Sequence, residues 1–285
     1  MFAPTLPQSP EPLLPDYVRA DGGVRLRFGK VGARTLRLEL AESGGYRARF
    51  PTSYDEHCEA VLINTAGGMA GGDRAVTQIA LDPGAQATVT TQAAEKVYRS
   101  QGSETRVETR IDVADGASLA WLPQETILFS GSRLSRSLDV ELAADASFIA
   151  AETLYFGRAA MGESLSRGHL RDRWRIRRNG RLIFAEDVRL DGAIDATLGR
   201  KAVGLGARAA ATVFAAGPGQ PEKLPEIRAL LDGDPAFTEV EAGAGTLDGF
   251  LLIRLLSADA QALRRALVML LGHLTGRALP RTWST

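Results

Sequence analysis

The chain has 285 residues and carries 34 Lys and Arg against 34 Asp and Glu, so its formal net charge is zero. This length is enough for one large domain or two small ones with a real hydrophobic core. A neutral chain lacks the basic surface typical of nucleic-acid-binding proteins, so we expect no nucleic-acid partner. Zero net charge also lowers the electrostatic barrier to association, which favours a protein that works in complexes.

The N-terminal stretch is rich in proline and lacks the basic and apolar segments of a signal peptide. We therefore predict a disordered lead over residues 1–16 and a single domain over residues 17–285. Cys58 is the single cysteine and can form no internal disulfide, which favours the cytoplasm. Arg264 and Arg265 interrupt the longest apolar run, so we expect no membrane-spanning segment.

From Val24 to Phe214 the sequence consists of short runs rich in Val, Ile, Thr, Leu and Phe, separated by Gly and Asp turn signals. This pattern predicts a mainly β fold without helical crossovers between strands. The predicted strands cover residues 34–40, 60–65, 77–81, 87–91, 105–113, 118–122, 137–142, 147–152, 169–178 and 181–189.

An imperfect repeat is centred on three alanines. Ala85, Ala117 and Ala146 lie 32 and 29 residues apart, and each opens a turn that leads into an apolar strand and then a polar or glycine-containing corner. Stacked layers of paired strands explain this repeat as a β-helix-like core. A non-repetitive β fold stays open as the alternative, because similar turn spacing occurs in other strand-rich chains.

Two α-helices are predicted near the C-terminus. The first covers residues 224–231 and begins among prolines. The second follows a cap at Ser257 and ends at Gly276. One face of it carries Leu263, Leu267, Leu270 and Leu274. We expect this face to close one end of the β core, with a partner helix as the alternative, and we expect a buried strand over residues 250–256.

A glycine-rich loop directly after strand 60–65 is the strongest local signal. It contains Gly67, Gly68, Gly71 and Gly72, and it ends at Asp73. Glycine is needed where φ is positive or where another backbone comes close, so the sequence predicts a sharply folded loop. A phosphate cradle is the alternative, but the Lys-Ser/Thr ending is missing and a strand follows instead of a helix.

Two further groups of residues carry reactive side chains. His57 and Cys58 place an imidazole beside a thiol, but neighbouring residues on a strand point to opposite faces. We therefore interpret Cys58 as a structural core residue, and His57 stays open as a lone exposed metal-binding side chain. Lys96, Tyr98 and Arg99 form a polar group, yet no base and nucleophile lie near them at a recognisable spacing.

Four carboxylates lie next to apolar strands. They are Glu125, Glu152, Glu163 and Glu186. A buried carboxylate is costly unless it is paired or hydrated, so we predict ion pairs with Arg158, Arg173 or Arg175. The alternative is a polar channel for a hard or borderline divalent cation.

Five blocks of sequence, in order, resemble the urease accessory protein D family, UreD, which is also called UreH. The blocks are VLINTAGGMAGGD (61–73), TTQAAEKVYRS (90–100), WLPQETILFSG (121–131), ETLYFGRAAMGES (152–164) and PRTWST (280–285). The resemblance extends from about residue 17 to the C-terminus. A single glycine-rich loop is a weak signal, whereas five ordered blocks are specific.

The resemblance implies a maturation factor that is not an enzyme. Proteins of this family bind apo-urease and recruit UreF and the GTPase UreG for GTP-dependent nickel insertion. The resemblance further implies no tightly bound cofactor, only transient Ni(II) that moves through an internal passage. It implies a strand-rich fold of stacked layers with two helices, and it is compatible with a dimer of heterocomplexes.

Three carboxylates match acidic residues that the family places along the passage: Asp73, Glu152 and Glu186. Oxygen ligands hold Ni(II) weakly, which suits transit better than a tight site of His and Cys would. Asn64 and Thr65 stand where some relatives have His-Pro, so a metal role for that histidine does not carry over to this chain.

The matching blocks also contain candidate interface or motif residues. These are Lys96, Tyr98, Arg99, Arg158, Glu163, Arg281 and Trp283. Of these, Arg281 and Trp283 belong to the C-terminal block, which either packs on the core or offers a surface for UreF.

Two other functions stay open at this point. The first is a purely structural adaptor that binds UreF and urease without contacting nickel. The second is a small-molecule enzyme that uses the loop 67–73 together with His57 and Cys58.

Overall fold

The computed structural model describes residues 19–52, 55–158 and 161–284. They form two facing β-sheets and three α-helices. The disordered lead predicted over residues 1–16 lies outside the described residues, and the assignment of residues 17–285 to a single domain stays a prediction.

The strands follow one another with few interruptions. In chain order they are β1 (Asp21–Val31), β2 (Arg34–Ser43), β3 (Tyr46–Arg49), β4 (Cys58–Asn64), β5 (Arg74–Leu81), β6 (Gln86–Thr91), β7 (Glu95–Val97), β8 (Thr105–Val113), β9 (Ser118–Leu122), β10 (Thr126–Leu128), β11 (Arg133–Leu142), β12 (Ser147–Phe156), β13 (Gly168–Arg178), β14 (Arg181–Gly192), β15 (Ala209–Ala216), β16 (Glu241–Leu247) and β17 (Phe250–Ser257). The helices are α1 (Ile194–Leu198), α2 (Leu224–Gly233) and α3 (Ala260–Thr275).

The two sheets divide these strands between them. The first sheet has the order β14-β13-β11-β8-β5-β1-β2. The second sheet has the order β16-β17-β15-β12-β9-β6-β4-β3, and β7 and β10 join it beside β12. The mainly β class predicted from the sequence is therefore confirmed.

Successive strands alternate between the sheets and stack in parallel. In the second sheet β4, β6, β9 and β12 are parallel neighbours, and in the first sheet β5, β8, β11 and β13 are parallel neighbours. The chain thus winds as a solenoid, and each coil contributes at least one strand to each sheet. The predicted β-helix-like core is confirmed, and the non-repetitive alternative is wrong.

The three repeat alanines mark equivalent turns of successive coils. The N–H of Ser118 donates to the carbonyl of Ala85 at 2.8 Å, and the N–H of Ser147 donates to the carbonyl of Ala117 at 2.9 Å. All three alanines, including Ala146, are fully buried. A larger side chain has no room at these positions, which explains why the repeat is visible in the sequence.

The hydrophobic core consists of three clusters. The largest lies between the sheets and contains Trp174, Phe148 and Phe214. The second lies between the second sheet and the helices, and it takes in the four predicted leucines of α3. The third packs around Leu134 and Phe156. The apolar face of α3 thus covers the outside of the second sheet rather than closing an end of the solenoid.

Helix boundaries agree with the predictions except in two places. Asp259, not Ser257, caps α3, because its carboxylate accepts the N–H groups of Gln261 and Ala262. Ser257 ends β17 instead. The short helix α1 was not predicted, whereas α2 and the left-handed Gly276 at the end of α3 were. None of the helices in the described part of the chain has the length and apolar character needed to cross a bilayer.

Six of the described strands were missing from the prediction: β1, β3, β7, β10, β15 and β16. The sequence of β15 is AAATVFAA, in which alanine does not favour a strand. Tertiary packing overrides this preference, because β15 lies between β12 and β17 and its small side chains are buried on both faces.

Candidate functional site

The glycine-rich loop is the first segment of a third side of the solenoid. Met69 forms a parallel bridge with Val97, which pairs with Leu128, which in turn pairs with Phe156. Four of the five motif blocks therefore stack on one another, coil by coil. We call residues 64–73, 95–99, 126–131 and 154–158 the third side.

Close contacts explain the glycines of this loop. A Cβ atom at Gly68 would lie 2.6 Å from Cε2 of Tyr98, and one at Gly71 would lie 2.1 Å from Oγ of Ser100. The Tyr98 hydroxyl donates to the carbonyl of Gly67 at 3.0 Å. The loop thus packs against the next coil, as the prediction of a sharply folded loop required.

The Asp73 carboxylate stabilises the conformation of this loop through hydrogen bonds. Its Oδ1 accepts the N–H of Ala20 at 2.9 Å, and its Oδ2 accepts the N–H of Ala70 at 2.7 Å. The N–H of Met69 also donates within the protein, to the carbonyl of Lys96. Because these amides already have partners, the loop contacts give no support to the phosphate cradle.

The exposed part of the third side brings several candidate residues together. The rings of Tyr98 and Phe129 meet edge to face at 5.1 Å, and the guanidinium of Arg158 lies 4.4 Å from the centre of the Phe129 ring. Arg158 also forms an ion pair with Glu163 at 2.5 Å. Lys96 belongs to the same β7 segment and is exposed, as is Arg99 just beyond it.

The C-terminal block lies elsewhere. The Trp283 side chain is buried in the cluster beneath α3, and its N–H lies 3.2 Å from Oγ1 of Thr90 and from the carbonyl of Leu122. Arg281 is exposed. Trp283 therefore packs on the core, and Arg281 keeps its side chain available at the surface.

A buried ionic network, which the sequence reasoning missed, lies between the sheets. The Arg136 guanidinium donates to both carboxylate oxygens of Asp172 and lies 3.2 Å from Oε2 of Glu152. Oε1 of Glu152 accepts the indole N–H of Trp121 at 3.0 Å. Arg136 also donates to Thr126. All three charged residues have less than a tenth of their surface exposed.

The alternation of inward-facing and outward-facing residues along two strands is the sequence feature that could have indicated this network. Arg136 falls on the inward phase of β11, between Leu134 and Leu138, and every second residue of that strand is buried. Asp172 occupies the same phase of β13, between Leu170 and Trp174. A charged residue on an apolar phase is expensive unless it finds a partner, so two such residues on adjacent strands indicate an internal ion pair.

Burial and charge act against each other within the network. Burial raises the pKa of Glu152, and the nearby Arg136 offsets this only in part. Burial also acts to lower the pKa of Arg136, but Asp172 and Glu152 outweigh it and the pKa is raised. Arg136 thus stays charged and is the cation that this part of the core requires.

Polar residues continue from this network to the surface. Glu152 pairs in register with Thr212, and Thr212 pairs with Arg254. Nη1 of Arg254 lies 2.6 Å from Oε1 of Glu186 on the facing sheet, and about half of the Arg254 side chain is exposed. We call this set the polar layer. Its members are Thr126, Arg136, Glu152, Asp172, Glu186, Thr212 and Arg254.

The predicted ion pairs are correct for one carboxylate of the four. Glu163 pairs with Arg158 as expected. The other three use different arginines, and the predictions with Arg173 and Arg175 are wrong. Those pairs are Glu152 with Arg136, Glu186 with Arg254, and Glu125 with Arg264 at 3.0 Å. Arg173 and Arg175 lie on the outward phase of β13, which turns them away from the core.

His57 and Cys58 form no reactive pair. The His57 ring contacts Oγ1 of Thr88 at 2.7 Å, and burial lowers its pKa to about 4. Cys58 begins β4 and packs against the main core, where burial raises the pKa of its thiol. The expectation of an exposed histidine is wrong, and the interpretation of Cys58 as a core residue agrees with its position. Within the described ranges, no three His, Cys, Asp or Glu side chains come together as a metal site.

Comparison with known proteins gives one consistent answer. A sequence model described as UreD urease accessory protein matches residues 20–284. Urease accessory protein UreD of Rhodopseudomonas palustris strain HaA2 is 46% identical over 265 residues, which cover 93% of each chain. The protein of the same name from Methylobacterium sp. strain 4-46 is 45% identical and covers 97% of this chain and 99% of its own. The chain therefore belongs to the UreD family of urease accessory proteins.

Proposed function

We propose that this protein is a scaffold in urease maturation. It binds apo-urease and recruits UreF and UreG, and nickel inserted with GTP hydrolysis reaches the urease centre through an internal passage in this chain. The observation that carries the role in maturation is the family match over residues 20–284.

The third side supplies a surface that fits the scaffold role. It presents Phe129 in contact with both Tyr98 and Arg158, and Lys96 and Arg99 lie near Tyr98 in sequence. Aromatic and arginine side chains carry most of the binding free energy in protein interfaces. Because stacked coils hold these residues on a rigid frame, little conformational entropy is lost when a partner binds.

The polar layer supports the passage. A divalent ion is strongly disfavoured between two apolar clusters, since the surroundings cannot replace its water. When both are ionised, Glu152 and Asp172 carry one negative charge more than Arg136, and Glu186 lies toward the exposed end of the layer. Carboxylate oxygens bind a borderline ion such as Ni(II) weakly enough to release it. Asp73 lies outside this layer, and its part in the passage is a separate element of the proposal.

Co-expression with UreF and UreG of the same organism tests the scaffold role. An affinity tag on this chain should retain both proteins and apo-urease through size exclusion. A double variant Tyr98→Ala and Arg158→Ala should lose at least one partner while keeping its circular dichroism spectrum. Arg200→Ala, an exposed arginine outside the third side, is the matched control. If all proteins are soluble and none is retained, the scaffold role is wrong.

A purely structural adaptor is the second candidate, and one observation favours it. Each proposed passage carboxylate already has a partner: Asp73 accepts two backbone N–H groups, Glu152 contacts Arg136, and Glu186 contacts Arg254. An ion would have to compete with those partners.

Conservative variants separate the two candidates. Glu186→Gln and Glu152→Gln remove charge while keeping shape, whereas Asp73→Ala would release the glycine loop and disturb assembly. Glu222→Gln at an exposed position is the control. The passage predicts that both variants assemble normally but leave the co-expressed urease with less nickel. The adaptor predicts an unchanged nickel content per urease.

A further inference from the structure

The outer face of the first sheet carries a row of arginines along a groove. The groove follows β11, between β8 and β13, and has a volume of about 190 Å³. Its floor is formed by the small side chains of Ser135 and Ser137. Ser135 pairs in register with Arg106 and Arg171, which stand on either side of it, and Ser137 has Arg173 on one side and Glu108 on the other.

Carboxylates of the protein do not balance these arginines. Glu108 is shared between Arg74 at 3.0 Å and Arg110 at 3.2 Å. Asp187 is likewise shared between two arginines, Arg171 at 2.9 Å and Arg189 at 2.7 Å. The serine-floored end of the groove therefore has an excess of positive charge.

Two arginines of the groove have no carboxylate partner in the described part of the chain. Arg106 is exposed, and Arg173 is half-buried. The Nε atom of Arg173 is buried and has no hydrogen-bond partner there. A buried donor without an acceptor costs free energy, so this position favours an acceptor supplied from outside.

We propose that this groove binds an extended acidic segment of a protein partner. Alternate residues of a strand are about 6.6 Å apart, so Arg171, Arg173 and Arg175 repeat along β13 with the spacing of alternate side chains in an extended peptide. Arginine binds carboxylates through paired hydrogen bonds, which adds direction to the charge attraction. Asp139 and Glu141 follow the serines on β11 and repel such a segment, which confines it to the serine-floored end.

This inference goes beyond the role in urease maturation and does not depend on it. The groove lies on the outer face of the first sheet, whereas the third side is formed by other segments and the buried ion pairs of the polar layer lie between the two sheets. Loss of nickel delivery and loss of binding in the groove are therefore separable by experiment.

The test measures binding of a fluorescein-labelled peptide of alternating glutamate and serine to the full chain. Fluorescence anisotropy at low salt gives the affinity. A peptide with glutamine in place of glutamate, tripolyphosphate and a single-stranded RNA are the competitors. The double variant Arg106→Ala and Arg173→Ala should bind about tenfold more weakly, as expected for two lost charge-assisted contacts. Arg25→Ala with Arg177→Ala removes the same charge from the same sheet outside the groove and should change the affinity less than about twofold.

A lysine substitution at position 173 separates the effect of charge from that of hydrogen-bond geometry. Arg173→Lys keeps the charge but loses the paired geometry, so its affinity for the acidic peptide should fall between those of the wild type and of the single variant Arg173→Ala. Equal binding of the glutamine peptide, equal losses in the control pair, or tighter binding of tripolyphosphate or RNA than of the acidic peptide would each overturn the proposal.

Discussion

Arg136 in the first sheet and Glu152 in the second sheet approach to 3.2 Å across the interior of the solenoid. Asp172, on the strand next to Arg136, takes the other side of the guanidinium. One buried cation thus links two sheets whose largest shared cluster is apolar. Folding stability should depend on this set being complete, because removal of the cation leaves two buried carboxylates without a positively charged partner.

Replacement of Arg136 should therefore be strongly destabilising. We expect Arg136→Leu to lower the free energy of unfolding by about 3–5 kcal/mol, the cost typical of breaking a buried pair. Urea denaturation followed by tryptophan fluorescence measures this loss. Arg200→Leu, at an exposed position, should change the stability by less than about 0.5 kcal/mol. A loss below about 1 kcal/mol for Arg136→Leu would show that water reaches the network.

His57 should make stability depend on pH. Burial is the main cause that lowers its pKa from 6.5 to about 4, so the folded state resists protonation that the unfolded state accepts. The contribution is present above pH 6.5 and is lost as the pH falls through about 4. From pH 7 to pH 5 the wild type should lose about 2 kcal/mol more than His57→Gln. Parallel urea midpoints for the two proteins over this interval would contradict the buried neutral imidazole.

Two neighbouring glycines provide a matched pair for the third side. A Cβ at Gly68 would lie 2.6 Å from Tyr98 and 2.9 Å from the carbonyl of Lys96, whereas a Cβ at Gly67 would meet nothing within 4 Å. Both have positive φ values. Gly67→Ala should cost about 1 kcal/mol from backbone conformation, and Gly68→Ala roughly 2–3 kcal/mol because it adds a steric clash. Similar thermal midpoints for the two variants would mean that the loop does not pack on Tyr98.

Two residues of the C-terminal block should differ in their effect on stability. We expect Trp283 to be required for folding and Arg281 to be dispensable for it. Trp283→Ala removes a buried ring and two hydrogen bonds of its N–H, so we expect a loss of about 3–5 kcal/mol in stability. Arg281→Ala, two residues away and exposed, should leave the stability within about 0.5 kcal/mol of the wild type. Chemical denaturation of both variants checks this. Equal, small effects would mean that the Trp283 ring is held only when a partner is bound.

The solenoid could be predicted because its repeat is imposed by local chemistry. Ala85, Ala117 and Ala146 each occupy a turn that the next coil covers, so a small residue recurs at the spacing of one coil. The strand β15 could not be predicted in the same way, because its alanines acquire a strand conformation only from their neighbours β12 and β17. Strand propensity is a property of the single residue, whereas strand pairing depends on residues far away in the sequence.

The carboxylates of the candidate site were predicted from the sequence, but their arginine partners were not. The carboxylates Glu152 and Glu186 were identified as residues that require compensation, since each lies in an apolar strand. Their arginines were not, because Arg136 and Arg254 lie 16 and 68 residues away along the chain and reach them across the sheets. The third side was found as separate motifs, and its unity rests on the bridge from Met69 to Val97, which only the stacking of coils creates.

Nickel content of urease, measured per enzyme after purification from cells that contain or lack this chain, tests whether this chain acts in urease maturation. UreF, UreG and the urease subunits are expressed at matched levels in both strains. We expect urease subunits to accumulate in both strains but to carry nickel in quantity only when this chain is present, and we expect expression of the wild-type chain to restore the metal. A full complement of nickel in urease from cells without this chain would contradict it.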